Sequence, residues 1–541
     1  MLKKSRWRAA LPLAAGVIAG TSALAAPSAG AAAHTPSISF FLPGNLLVSR
    51  SVYTASPGTI VAGKTVLPPG CTTGCAVATA SGAYPQVFNN VLADPAFGVT
   101  SPVYLDQMTP SGRVLSSLRV PSAGGLVTSF SSKSELALNL STSGREVSFM
   151  GYAAAPDEVD VSNSNTPGVI DPTNPVSGAD FRVAAEMNGL GQFRFTETNA
   201  YSGNNGRAAI LNDSRGANVL YTAGNAGNGS NPQPDGVITG AGDEILTPAA
   251  RPEAAQHPGG PAPVGSFSVT QLGDKADKVG KDTNFRGLTV FDNVVYYTKG
   301  SGSNGVNTVY FVDTTGKACP SGTGLPQAGA KLPTSAIAFD PAQLQAKGVF
   351  PDNMCILAGF PTALKSATSF PFGLWFANAT TLYVADEGTG DNTFSAASGT
   401  YAAAAAQTTA GLQKWVLSGG TWKLAYTLSG GLHLGAPYTV RGYPAGDNAA
   451  TGLPWSPATD GLRNITGRVN RNGTATIWAI TSTVSGGGDQ GADPNRLVAV
   501  TDRLTSMSAP AESFTIVRTA RFGEVLRGVS LTPGTGGLTG R

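Results

Sequence analysis

The chain has 541 residues, 41% of them hydrophobic and 13% charged, with 69 glycines and 37 prolines. That composition excludes an intrinsically disordered chain and provides for a large core built of many short elements joined by turns. A formal net charge of +3 over this length is too small to imply a surface for nucleic acid or an anionic membrane, so a charged partner has to be recognised locally.

Residues 1–33 open with Lys3, Lys4, Arg6 and Arg8, continue into an apolar run, and carry Ala-x-Ala sites at Ala23 to Ala25 and Ala31 to Ala33. This is the pattern of a secretory signal peptide, and it predicts residues 34–541 as a single exported, extracellular and monomeric domain. Four cysteines in an exported chain point to disulfides: Cys71 and Cys75 can close a small loop, leaving Cys319 to pair with Cys355.

Strand-like runs follow in order. Residues 44–53, 102–108 and 113–120 form a first group, the last two joined across Thr-Pro-Ser-Gly, a turn sequence. Residues 135–140, 145–152, 181–186 and 192–197 form a second group, and 207–213, 218–223 and 266–272 a third. The fourth has 286–292, 294–298 and 308–313, its last strand hidden by an insertion between Cys319 and Cys355. Phe372-Gly-Leu-Trp-Phe-Ala opens the fifth, and 463–467, 476–481, 496–501 and 514–518 make the sixth.

First strands therefore start at Glu135, Arg207, Arg286, Phe372, Arg463 and Arg527, about 60 to 90 residues apart, a period that suits one four-stranded sheet per repeat. The last start has no strands after it, and the first group lacks one strand. The expected fold is an all-β propeller of six four-stranded blades, its ring closed by strands from both chain ends in one blade. A seventh blade stays open if residues 54–100 or the insertion hold one. A pair of β-sandwiches is the competing fold, but nearly continuous apolar runs such as Leu382-Tyr-Val-Ala suit strands covered on both faces.

Alternating strand direction puts the loop entering each first strand on the same face as the loop between second and third strands. That face gathers Arg207, Arg286, Arg463 and Arg527 with Asp157, Glu158, Asp160, Lys299, Asp386, Glu387, Asp391, Asp489 and Asp493. A guanidinium donates two parallel hydrogen bonds to a carboxylate, sulfate or phosphate, so the four arginines are the candidate ligand-binding residues for an anionic small molecule or glycan. The bland alternative is that they pair with neighbouring carboxylates and fasten blades together.

Asp386-Glu-Gly-Thr-Gly-Asp391 places Asp386, Glu387 and Asp391 at a spacing suited to calcium, the one cofactor the chain points to. As catalytic candidates, Asp386 and Glu387 serve as acid or base, joined by His433, which has Tyr438 and Arg441 nearby in sequence. There is no Gly-x-Ser-x-Gly elbow. Gly300-Ser-Gly-Ser-Asn-Gly305 precedes a strand pattern rather than a helix, which removes a dinucleotide reading.

Leu382-Tyr-Val-Ala-Asp-Glu-Gly followed by Gly411-Leu-Gln-Lys-Trp-Val resembles the blade motif of phytase-like and lactonase-like propellers over about one blade. That resemblance implies calcium-dependent hydrolysis of phosphate esters. Tyr84-Pro-Gln-Val-Phe-Asn-Asn and Phe97-Gly-Val-Thr-Ser-Pro-Val-Tyr-Leu-Asp-Gln resemble uncharacterised secreted β-propeller proteins, a likeness that carries no activity. Two functional classes follow: a propeller that binds an anionic ligand, or an extracellular hydrolase or lyase acting on a phosphorylated or uronate-containing substrate.

Overall fold

The computed structural model describes residues 40–53, 64, 66–67, 76–77, 99–129, 135–158, 161–170, 176, 178–225, 243–248, 284–300, 306–319, 322–334, 354–363, 369–448, 451–486, 491–508 and 511–537. The signal segment, Cys71, Cys75, the strand expected over 266–272, Asp160 and Asp489 lie outside them. The described sheets form a six-bladed β-propeller within one compact unit, Ser39–Arg541.

Blade one joins the two chain ends as expected. Its innermost strand, Glu524–Leu531, pairs antiparallel with Leu46–Val52, which pairs with Val103–Met108 and then Val114–Arg119. Blade two runs outward through Asn139–Leu140, Glu146–Tyr152, Arg182–Asn188 and Phe193–Thr198. Its inner strand is shorter than expected because Leu136 adopts a φ of 63°, a left-handed conformation that a strand cannot continue through. Blade three has three described strands, Gly206–Asn212, Val219–Gly224 and Asp243–Leu246, the last too short and too acidic to stand out in the sequence.

Blade four consists of Phe285–Phe291, Val294–Lys299, Thr308–Val312 and Met354–Leu357, with Thr323–Gly324 added in parallel at its edge. What read as the end of an insertion is thus the outermost long strand. Cys355 lies in it and forms the expected disulfide with Cys319 at a Cα separation of 5.6 Å. Blade five is Pro371–Asn378, Thr381–Asp386, Gly411–Ser418 and Thr421–Leu428. Blade six is Ala458–Val469, Thr474–Val484, Arg496–Arg503 and Thr515–Thr519, so its inner strand begins at Ala458 rather than Arg463.

The apolar runs are explained by packing of blade against blade. Leu382 and Val384 point into the cluster shared with blade four, whereas Tyr383 and Ala385 point into the one shared with blade six. One strand feeds two cores because successive side chains leave opposite faces of a sheet. Between blades four and five, Phe291 and Tyr296 each lie 4.6 Å from the Phe376 ring.

Near the axis the inner strands approach so closely that some positions admit no side chain. A Cβ at Gly287 would lie 1.9 Å from the Phe372 carbonyl oxygen, and one at Gly528 2.3 Å from that of Leu136. A hydroxyl from the second strand completes each contact: Thr298 accepts from the Gly287 N–H and donates to the Phe372 carbonyl, while Ser49 does the same for Gly528 and Leu136.

Candidate functional site

The inner strands carry a repeated irregularity. Pairing with the second strand skips Arg207 in blade three, Arg286 and Gly287 in blade four, and Phe372 and Gly373 in blade five. It also skips Arg463 and Asn464 in blade six, and Arg527 in blade one. A bulge leaves its residue outside the ladder and re-aims the side chain. The same bulge therefore recurs on five neighbouring inner strands, at Arg207, Arg286, Phe372, Arg463 and Arg527.

Each arginine is held by groups outside its own strand. Arg207 donates to the Asn284 side chain and, at 3.0 Å, to the Phe285 carbonyl. Arg286 lies 3.7 Å from Glu387 Oε1, with its guanidinium 5.7 Å from the centre of the Phe372 ring. Arg463 Nε lies 3.3 Å from the other oxygen of the same carboxylate, Oε2. Arg527 donates to Ser51 Oγ at 3.1 Å and to the Ser129 carbonyl at 2.9 Å. The four residues are only 5% to 7% exposed. Burial lowers the Arg463 pKa, opposed by the attraction of Glu387 and reinforced by the positive charge of Arg286.

The acidic loop divides its carboxylates among different tasks. Glu387 bridges Arg286 and Arg463. Asp386 is fully buried inside the blade, where it accepts from the Phe370 N–H at 2.9 Å, the Gly388 N–H at 3.0 Å and the Gln413 amide at 3.2 Å. Burial pushes its carboxyl up to about 7, although the Phe370 and Gly388 N–H groups pull the other way. Asp391 turns outward and accepts from the N–H and hydroxyl of Thr393, which hold its pKa below the ordinary carboxylate value.

The three expected calcium ligands therefore do not converge, and the N–H groups around Asp386 occupy the lone pairs a cation needs. Among the described residues no group of three His, Cys, Asp or Glu side chains is placed to hold a metal ion. These residues do not fit calcium.

Sequence reading missed Asp460. It lies in the inner strand of blade six, accepts from the Gly390 N–H at 2.7 Å and from the Gln407 amide, and is pushed up to about 6, chiefly by burial. The acidic loop wraps so tightly over it that a Cβ on Gly388, at φ 82°, would lie 2.5 Å from its carboxylate. The signal available was the pair of glycines flanking Thr389.

His433, Tyr438 and Arg441 do not form a site. His433 is an exposed turn residue at φ 52°, Tyr438 is buried with its hydroxyl on the Pro494 carbonyl at 2.8 Å, and Arg441 is exposed. Of the other loop residues, Asp157 and Glu158 bind Thr100 through their backbone N–H groups, Lys299 is buried, and Asp493 accepts from Tyr443 and Ser485.

No protein-family model matches the chain, and no curated protein does. Among solved structures it is similar to an ulvan lyase, from a new family of polysaccharide lyases, with its saccharide bound. The TM-score is 0.28 at 10% identity, covering 88% of this chain and 95% of that one. A second ulvan lyase structure gives a TM-score of 0.27 at 10% identity, covering 91% and 96%. Likeness at that level bears on neither the site nor the activity.

Proposed function

We propose that this protein is an extracellular binding propeller that holds an anionic ligand, a carboxylate- or sulfate-bearing small molecule or glycan, at the arginine-rich mouth of its channel. The observation that supports the reading is the repeated bulge, which takes Arg207, Arg286, Arg463 and Arg527 out of the ladder at matching positions of the inner strands. Positive charge exceeds negative there. Glu387 bridges two of the four guanidinium groups, while Asp386 and Asp460, at about 7 and about 6, carry less than full charge near neutrality. The Cys319–Cys355 disulfide supports an oxidising compartment.

The hydrolase or lyase reading draws on one observation, the near-neutral carboxyl of Asp386. Against it, that group is buried and its oxygens are already taken by Phe370, Gly388 and Gln413. A thermal-shift titration with sulfate, phosphate and glucuronate separates binding from a purely structural arginine ring. The proposal expects Tm to rise with the logarithm of ligand concentration for at least one of these anions. Flat curves for all three overturn it. Turnover of a phosphate ester or a uronate polymer would restore the enzymatic reading.

A further inference from the structure

The seam between blades five and six buries a group of ionisable side chains that involves none of the arginine-bearing inner strands. Lys414, in Gly411–Ser418, and Asp502, in Arg496–Arg503, are fully buried and lie 2.9 Å apart. Tyr426 donates to Asp502 Oδ1 at 2.5 Å, and Tyr383 donates to Oδ2, the oxygen that also faces the ammonium. An ammonium has three protons to give, and this one has four oxygen neighbours. Besides Asp502 they are the Tyr426 hydroxyl at 3.0 Å and the carbonyls of Arg503 at 2.7 Å and Ser506 at 3.0 Å. One positive and one negative charge balance there, and their hydrogen-bonding capacity is filled.

A second carboxyl reaches the same group. Glu512 lies three residues ahead of Thr515–Thr519, the outer strand of blade six, and its Oε1 accepts from the Arg503 N–H at 3.2 Å. Its Oε2 is buried and has no hydrogen-bond partner. Burial and the neighbouring Asp502 push its pKa up to about 7, opposed by the Arg503 N–H and the Lys414 ammonium. Tyr383 and Tyr426 meet the group only through Asp502, and the Arg503 side chain is exposed. The backbone around Glu512 is tied to the start of the 429–457 connection between the blades. A Cβ on Gly430 would lie 3.2 Å from the Glu512 carbonyl oxygen, and the Phe514 N–H donates to the Gly430 carbonyl at 2.8 Å. Phe514 itself is buried in the cluster that the two blades share.

We propose that Glu512 is a proton-operated clasp that fastens the outer strand of blade six to the seam with blade five. As a neutral acid it rests beside the Asp502 carboxylate and accepts from Arg503. Once ionised it brings a second negative charge to an ammonium already shared among four oxygens, so it withdraws to solvent and releases the Arg503 N–H. A carboxyl that holds its proton more tightly folded than unfolded stabilises fully below its ordinary range, and that contribution is lost as the pH rises through about 7. The strand and its Phe514 contact are therefore fastened in acid and loosened above neutrality.

Hydrogen–deuterium exchange of the full chain, read by mass spectrometry and corrected for the intrinsic dependence of exchange on pH, tests the clasp in wild type, Glu512→Gln and Glu512→Ala. In wild type, peptides spanning Arg503 and Glu512 to Phe514 are expected to exchange about ten-fold faster at about pH 8 than at about pH 6, while those covering Leu46–Val52 keep a constant rate. Glu512→Gln keeps a neutral group of the same size and is expected to stay protected at both pH values, whereas Glu512→Ala is expected to exchange fast at both. Corrected wild-type exchange that does not change with pH overturns the clasp, and so does a Glu512→Gln profile that follows the wild type. Where a variant does not fold, the wild-type profile alone decides.

Discussion

Asp502→Asn removes one partner of a fully buried ion pair that ties two blades together. Lys414, in the third strand of blade five, places its ammonium 2.9 Å from Asp502 in the third strand of blade six, and both side chains are 0% exposed. The ammonium also donates to the Arg503 carbonyl at 2.7 Å and the Ser506 carbonyl at 3.0 Å, while Tyr383 and Tyr426 donate to the two carboxylate oxygens. Burial, followed by the charge of Asp502 and the hydrogen bond to it, pushes both tyrosines up and keeps them protonated as donors. Asparagine keeps the size but removes the paired charge, leaving the buried ammonium only the Glu512 carboxyl, which interacts with it without an ion pair, a loss of about 3–5 kcal/mol. A melting entropy of about 2.1 cal/mol/K per residue, over a unit of about 500 residues, converts this to a Tm lowered by about 3–5 °C. Scanning calorimetry measures it. In Lys414→Met/Asp502→Asn the charge is gone from both sides, so the double variant is expected to be more stable than Asp502→Asn alone. A single variant within about 1 °C of wild type, or a double variant whose loss is the sum of the two singles, refutes the reasoning.

Further outcomes follow from the buried carboxylates and from the glycines. Asp386 and Asp460 hold their protons more tightly folded than unfolded, so their contribution is full below about pH 4 and is lost as the pH rises through about 6 and then about 7. Asp106 has the opposite sign. Burial raises its pKa, but Arg50, Ser117 and Arg518 outweigh that and hold it low, so its contribution is present above the ordinary aspartate value and lost on acidification. Asp460→Asn is expected to flatten the fall of unfolding free energy between about pH 4 and 6 by about 3 kcal/mol, and an unchanged pH profile contradicts it. Gly287→Ala drives a methyl group to 1.9 Å from the Phe372 carbonyl oxygen and is expected to prevent ring closure, seen as insoluble or unfolded protein by circular dichroism. Gly419→Ala, with nothing within 4 Å and only a φ of 61° to strain it, should fold with a loss of about 1 kcal/mol.

The fold was legible because blade strands obey simple rules. Runs such as Leu382-Tyr-Val-Ala require burial on both faces, and the unpaired start at Arg527 matched the group of strands at the other chain end. Asp243–Leu246 and Met354–Leu357 escaped detection because four residues show no periodicity, and their strand character comes from the sheets they complete. At the site, the arginine positions were visible but their geometry was not. The Arg-Gly pairs at 286–287 and 527–528 were the readable trace of it, since glycine there answers to the next blade's carbonyl. The spacing of Asp386, Glu387 and Asp391 pointed to calcium, yet a strand end and two left-handed glycines turn the three carboxylates apart, which no spacing rule conveys.

The most direct test of the arginine mouth is anomalous diffraction from crystals soaked in selenate, a heavy counterpart of sulfate. The account expects an anomalous peak within hydrogen-bond reach of the guanidinium groups of Arg207, Arg286, Arg463 or Arg527. A saturated crystal with no anomalous density at that level of the channel would contradict it.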